Sequence, residues 1–306
     1  MVFTPENKTQ LQSALAKWYE VANNSSDSDA VNTANSVTEA QYNANPGTVK
    51  YYGNPNTWDV SGITDMSYLF YNKTQNNHPD ISTWDVSAVN NMEGMFLYAS
   101  AFNQDISKWN VSKVRHMNSM FSGAIAFNQD IGNWNTSKVT TMGWMFLNAA
   151  AFNQNINTKE ITAENSPTGQ AYTAWDVSQV TFMREMFLVA VAFNQDISQW
   201  NVGNVTNMKY MFYNASAFNQ PLEQWNVGNV IDMGSMFLYA SAFNQPLEQW
   251  NVGNVTNMGS MFAGASAFNG DISQWDTSKV RSMVNMFYNA KAFNQTITTK
   301  EVTAEN

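Results

Sequence analysis

Nine tryptophans, Trp58, Trp84, Trp109, Trp134, Trp175, Trp200, Trp225, Trp250 and Trp275, open the same phrase along this 306-residue chain, and seven of the eight steps between them are 25 or 26 residues. A fixed period of that size means a short unit that cannot bury its apolar face alone and therefore stacks on copies of itself. Length by itself would suggest two domains. The repeat overrides that reading and predicts one elongated solenoid.

Within one unit, Ile106-x-x-Trp109-x-Val111 has the spacing of the leucine-rich-repeat core L-x-x-L-x-L, with Trp in the second Leu position. A two-residue period would point Trp109 and Val111 inward and leave Lys108, Asn110 and Ser112 outside. Stacked units would then pair these strands into a parallel sheet, which requires a crossover. The crossover expected is Val114-x-x-Met117-x-x-Met120-Phe121-x-x-Ala124-x-x-Phe127, whose steps put the Met, Phe and Ala positions on one face of a short helix or 3₁₀ turn. Every Met except Met1 falls in the two Met columns, so the Met and Phe stripe reads as core. The fold class expected is therefore an α/β repeat solenoid, a leucine-rich-repeat-like right-handed coil with a parallel strand sheet, short helical or 3₁₀ crossovers and an N-terminal capping helix. An Asn follows the second Phe column from Asn103 to Asn294, and reads as a ladder that satisfies loop backbone between turns.

From Trp109 to Ile131 the phrase W-N-V-S-K-V-R-H-M-N-S-M-F-S-G-A-I-A-F-N-Q-D-I resembles the bacterial surface protein 26-residue repeat family, related to the BspA-like leucine-rich repeats. The resemblance spans residues 53 to 306. It implies a leucine-rich-repeat-like solenoid on cell, extracellular or particle surfaces, used for adhesion, with no enzymatic activity. Departures are Thr136 and Thr277 in the Val position, and Asn76-Asn77-His78-Pro79 in the first unit where F-N-Q is expected.

The net charge of −9 supplies no basic stripe for nucleic-acid phosphates and disfavours anionic membranes. No stretch of 18 apolar residues suggests membrane insertion, and M-V-F-T-P-E lacks the blocks of a secretory signal. Without cysteine there is no disulfide framework or thiolate metal site. The two histidines, His78 and His116, lie in different units and read as surface residues; no catalytic residue, cofactor or metal is assigned. The phrase Asp27-Ser28-Asp29 reads as solvated loop rather than a calcium site.

Two surface columns are candidates for recognition. The residue after each Trp forms a candidate ligand face of Asp59, Asp85, Asn110, Asn135, Asp176, Asn201, Asn226, Asn251 and Asp276. Outward-facing groups about 5 Å apart on adjacent turns could hold sugar hydroxyls or a cation, most of all at Asp59 and Asp85; the competing reading is a structural polar ladder. After the Met-Phe pair come Tyr71, Leu97, Leu147, Leu188, Tyr213, Leu238 and Tyr288, flanked by Tyr98, Val189 and Tyr239, and by Trp144 and Tyr210 from a neighbouring position. This apolar row is a candidate protein-binding or self-association interface, the competing reading being that part of it only covers adjacent turns.

The chain divides into an N-terminal cap helix and polar loop over 1–52 and a solenoid of about nine 25-residue repeats over 53–306. The cap helix is expected to begin with Thr4 as N-cap and Pro5 at its first position, with Leu11, Leu15, Trp18 and Ala22 on one face. A hairpin is expected near 157–174, around Ser166-Pro167-Thr168-Gly169. Its first arm recurs as Ile297 to Asn306, so the C-terminal end reads as a truncated array or one that pairs with another chain. The expected function is a noncatalytic recognition or adhesion scaffold for a protein or glycan, the alternative a self-associating element of a surface fibre or particle.

Overall fold

The computed structural model describes residues 2–24 and 52–297. The acidic phrase at 27–29, most of the polar loop and the tail at 298–306 lie outside the described residues.

Each repeat forms one coil bound to the next by backbone hydrogen bonds of constant pattern. In the coil at 92–99, the N–H groups of Met92, Gly94, Phe96 and Tyr98 donate to the carbonyls of His116, Asn118, Met120 and Ser122 in the following coil. The alternating N–H groups of Met95, Leu97 and Ala99 turn back to Met92, Gly94 and Phe96 within their own coil. This staircase of turns replaces the expected helical crossover. A helix keeps its interior N–H groups inside itself; here a left-handed residue at every fourth position rotates alternate groups outward, as at Gly94 (φ 56°) and Tyr98 (φ 57°), and again at Tyr210 (φ 58°) and Asn214 (φ 52°). Val189 holds φ 58°, which a β-branched residue adopts only when its surroundings enforce it.

The parallel pairing also differs from expectation. Single parallel bridges run through the residue before the first Met, from Asp65 through Asn91, His116, Thr141, Phe182, Asn207, Asp232 and Asn257 to Ser282. No strand forms at Trp-x-Val among the described residues. Turn bonds close on either side of that segment, Trp109 N to Ile106 O and Val114 N to Val111 O, and leave too little extended chain for a ladder. We infer that the described repeats form one continuous solenoid, joined along the staircase edge rather than by the leucine-rich-repeat strand.

The core is three stacks of rings. Phe70, Phe96, Phe121, Phe146, Phe187, Phe212, Phe237, Phe262 and Phe287 follow one another at centroid separations of 5.2–5.8 Å. The second column, Phe102 to Phe293, repeats at 5.9–6.1 Å. Trp175, Trp200 and Trp225 stack beside them at 6.0 and 6.3 Å. These separations between nearly parallel rings are those of offset stacking, which the ring quadrupole favours. From Trp84 to Trp275 each repeat indole also donates its Nε1–H to a carbonyl in the preceding coil, as Trp225 does to Ile197 O at 3.0 Å and Trp250 to Leu222 O at 2.8 Å. That bond is the reason for Trp where Leu would fill the volume. Thr136, buried in a Val position, places its hydroxyl on Asp176 O at 2.9 Å.

Helix α1 (Lys8–Asn24) closes the N-terminal end, with Leu11, Leu15, Trp18, Tyr19 and Ala22 buried against the first coil. It starts later than expected because Asn7 takes the cap: its Oδ1 accepts the Gln10 N–H at 3.1 Å, while Gln10 Oε1 accepts the Glu6 N–H at 3.0 Å. The insertion is an antiparallel hairpin of β1 (Lys159–Ile161) and β2 (Tyr172–Ala174), with Lys159 opposite Ala174.

Candidate functional site

The column after Trp is a row of turn caps. The Oδ1 of Asp59, Asp85, Asn110, Asn135, Asp176, Asn201, Asn226, Asn251 and Asp276 each accepts the N–H two residues on, at 2.9–3.2 Å. Such Asx turns explain why only Asp or Asn recurs there. The hairpin folds back over the column, so that Tyr172, Pro167 and Thr168 enclose a small cavity with Asn110 and Asn135. Asp59 and Asp85 are thereby separated from the row that resumes at Asp176. The carboxyl of Asp59 is held below its ordinary range by the Ser61 hydroxyl and backbone N–H. No group of three His, Cys, Asp or Glu side chains that could hold a metal occurs among the described residues.

The Asn after the second Phe is a ladder. Asn128, Asn153, Asn194, Asn219, Asn244, Asn269 and Asn294 each donate a backbone N–H to the Oδ1 of the ladder Asn one coil earlier, at 2.8–3.0 Å. The adjoining Gln side chains reinforce it, with Gln245 Nε2 on both oxygens of Asn219.

His78, read from sequence as a surface residue, is buried. Counted back from Trp84 it stands in the ladder position, and its Nδ1 lies 2.8 Å from the Tyr19 hydroxyl of α1. Burial, with the Lys73 cation nearby, holds its imidazole down to about 4. The Asn-to-His change at that column was the available signal. His116 is exposed.

The apolar row divides by exposure. Tyr98, Tyr239 and Tyr288 are exposed, whereas Leu97, Trp144, Leu147, Leu188, Tyr210, Tyr213 and Leu238 are half-buried. Its rings form two clusters. Tyr71 lies 6.4 Å from Tyr68 and 6.2 Å from Tyr98, and Tyr213 lies 6.0 Å from both Tyr210 and Tyr239. Between them sits the Trp144–Phe182 pair at 5.3 Å. Tyr68, overlooked in the sequence, shares its column with Trp144 and Tyr210, and its hydroxyl donates to Glu93 at 2.8 Å. A separate shallow groove of about 430 Å³, also unforeseen, runs between Asn204, Asn229 and Asn254 on one side and Thr206, Ile231 and Thr256 on the other.

No described helix is long and apolar enough to cross a membrane. No curated protein matches the chain. A family profile described as Mycoplasma protein of unknown function, DUF285, matches residues 35–159, 157–254 and 221–306. This match corrects the resemblance drawn from Trp109 to Ile131: the family found is not the BspA-like leucine-rich repeats. The columns that carried the resemblance are core and turn positions, which any stack of this period must fill in similar ways.

Proposed function

The chain belongs to the DUF285 family, and we propose that it is a noncatalytic recognition scaffold that binds a protein partner along its tyrosine clusters. One observation carries the reading. The other strongly recurrent polar side chains, the indole N–H groups, the ladder Asn and the Asx caps, are occupied within the stack, whereas Tyr71 and Tyr98 are each 50% exposed and side by side. Rigid aromatic side chains with a polar tip anchor protein interfaces at low entropic cost. The second cluster, around Tyr213 and Tyr239, repeats the arrangement farther along the stack, so two modest contacts on one rigid body would reinforce each other.

The test is a selection of binders from a displayed protein library against the intact chain, followed by comparison of Tyr71→Ser/Tyr98→Ser and Tyr213→Ser/Tyr239→Ser variants. Loss of binding in either double variant, with the melting transition retained, supports the reading. Binders that ignore both variants contradict it, as would retention on a glycan array that depends on Asn226 and Asn251 instead.

A further inference from the structure

Ile125 and Val191 are apolar side chains at 47% and 37% exposure, in a column whose other members are Ser100, Ala150, Ser216, Ser241, Ser266 and Lys291. They lie in the middle of the stack, one coil before and one coil after the coil that opens at Trp134. Ala150, half-buried, stands between them. In a neighbouring column Val189 keeps apolar surface at a left-handed φ of 58°, where the coils on either side place Asn148 and Asn214, residues that adopt that conformation more readily. Apolar surface held at a backbone cost is the mark of a contact face.

This face is complementary to itself when turned end for end about the Trp134 coil. Two coils before that centre stand Glu93 and Tyr98; two coils after it stands Lys209, in the same column as Glu93. At about 4.8 Å per parallel-paired coil, each charge lies about 10 Å along the stack from the centre. The Glu93 carboxylate accepts the Tyr68 hydroxyl at 2.8 Å, and the Lys209 ammonium lies 5.1 Å from the Tyr210 ring centre, so both are held against the face. The Tyr98 ring reaches over the following coil, where a Cβ on Gly123 would lie 2.5 Å from it. That puts the ring one coil before the centre, opposite in position to Val189. Trp144 stands on the central coil, half-buried, with its ring 5.3 Å from Phe182.

A two-fold axis crossing the stack at Trp144 sets each side chain against the member of its own column on the other side of the centre. Ile125 then meets Val191, the Tyr98 ring meets Val189, and Glu93 meets Lys209. Arg184 and Glu185 meet Asn118 and Ser119, so no like charges face one another. An unrelated partner would make no demand on where Glu93 and Lys209 fall relative to Trp144, whereas a two-fold contact requires equal distances on opposite sides. We propose that a second copy of this chain is the partner of this face, the two stacks pairing antiparallel with their Trp144 rings at the axis. Such a contact uses the same patch on both copies and closes as a dimer. The inference rests on the reading of the face as a protein-binding surface and names its partner.

The experiment is sedimentation equilibrium of the full chain, of Glu93→Lys, of Lys209→Glu, and of the two variants mixed in equal amounts. Alone, each variant sets two like-charge pairs across the axis; in the mixed dimer both pairs are again of opposite charge. The intact chain should dimerise, each variant alone should dimerise at least about tenfold more weakly, and the mixture should recover the affinity of the intact chain. Val191→Lys, a side chain that the same column carries at Lys291, should abolish the dimer, with circular dichroism showing the repeats intact. An intact chain that stays monomeric at high concentration would overturn the proposal; if library binders are still lost in Tyr213→Ser/Tyr239→Ser, the protein-binding reading stands without it. A mixture no tighter than either variant alone, or a dimer indifferent to Val191→Lys, would also overturn it.

Discussion

Trp200 donates its indole N–H to Ile156 O at 2.9 Å across 44 positions of chain, whereas Trp225 makes the same bond to Ile197 across 28. The difference is the hairpin, which leaves the stack after Ile156 and returns before Trp175 without changing how one coil meets the next. The indole bond is therefore a register pin as well as core filling. Trp200→Ala should destabilise the chain by about 3–5 kcal/mol, as for other large buried aromatics, and Trp200→Phe by about 1–3 kcal/mol because Ile156 O then lacks its donor. Gln199→Ala, at an exposed neighbour, should be near neutral. Denaturant melts of the three variants check the order.

The staircase makes a sharper demand at Gly123, which holds φ 70°. A Cβ there would lie 2.5 Å from Tyr98 Cδ1 in the preceding coil. Gly123→Ala should cost about 1–2 kcal/mol for the left-handed backbone, plus the cost of displacing the ring. In a double-mutant cycle Tyr98→Ala should recover the second part and not the first. Equal losses with and without Tyr98 would show that the ring does not cover this glycine.

Acid should weaken the N-terminal end first. His78 is held neutral down to about 4 in the folded chain and titrates near 6.5 when unfolded, so the unfolded state binds the extra proton between those values. The stability contribution is complete above pH 6.5 and is lost as pH falls through that window, by about 3 kcal/mol in all. Stability curves from pH 7 to 4.5 should show this slope in the intact chain and lose it in His78→Asn, which restores the ladder side chain. An unchanged slope in the variant would mean that other groups titrate there.

The Asn ladder offers a graded test. Asn219 Oδ1 accepts from Asn244 N at 2.9 Å and Gln245 Nε2 at 2.9 Å, so Asn219→Ala leaves two donors in need of water. A loss of about 1–2 kcal/mol is expected, with Asn219→Asp falling below it because a carboxylate oxygen still accepts. Chemical denaturation of both variants measures the difference.

The period, the inward columns, the ladder and the hairpin were legible because each is a repeated composition with one dominant physical use. The backbone path was not. Met117, Met120, Phe121 and Ala124 are spaced as a helix would space them, yet left-handed residues at two positions per coil give the same inward face with half the N–H groups turned outward. Those positions hold Gly and Asn, but also Tyr210, Trp144 and Val189, so composition does not mark them. Asp59 and its column looked like a ligand row because an Asx cap and a ligand side chain have the same residue types. The tyrosine row was visible, but its division into exposed and half-buried members depends on the backbone path, which the sequence does not mark.

Hydrogen exchange, resolved by residue, tests the directional stacking most directly. Met208, Tyr210, Phe212 and Asn214 donate to Asp232, Gly234, Met236 and Leu238 in the next coil, so their amides should exchange orders of magnitude more slowly than unprotected backbone amides. Rapid exchange at 208, 210, 212 and 214 in the folded chain would contradict the account, because those four bonds are the staircase edge that joins this coil to the next.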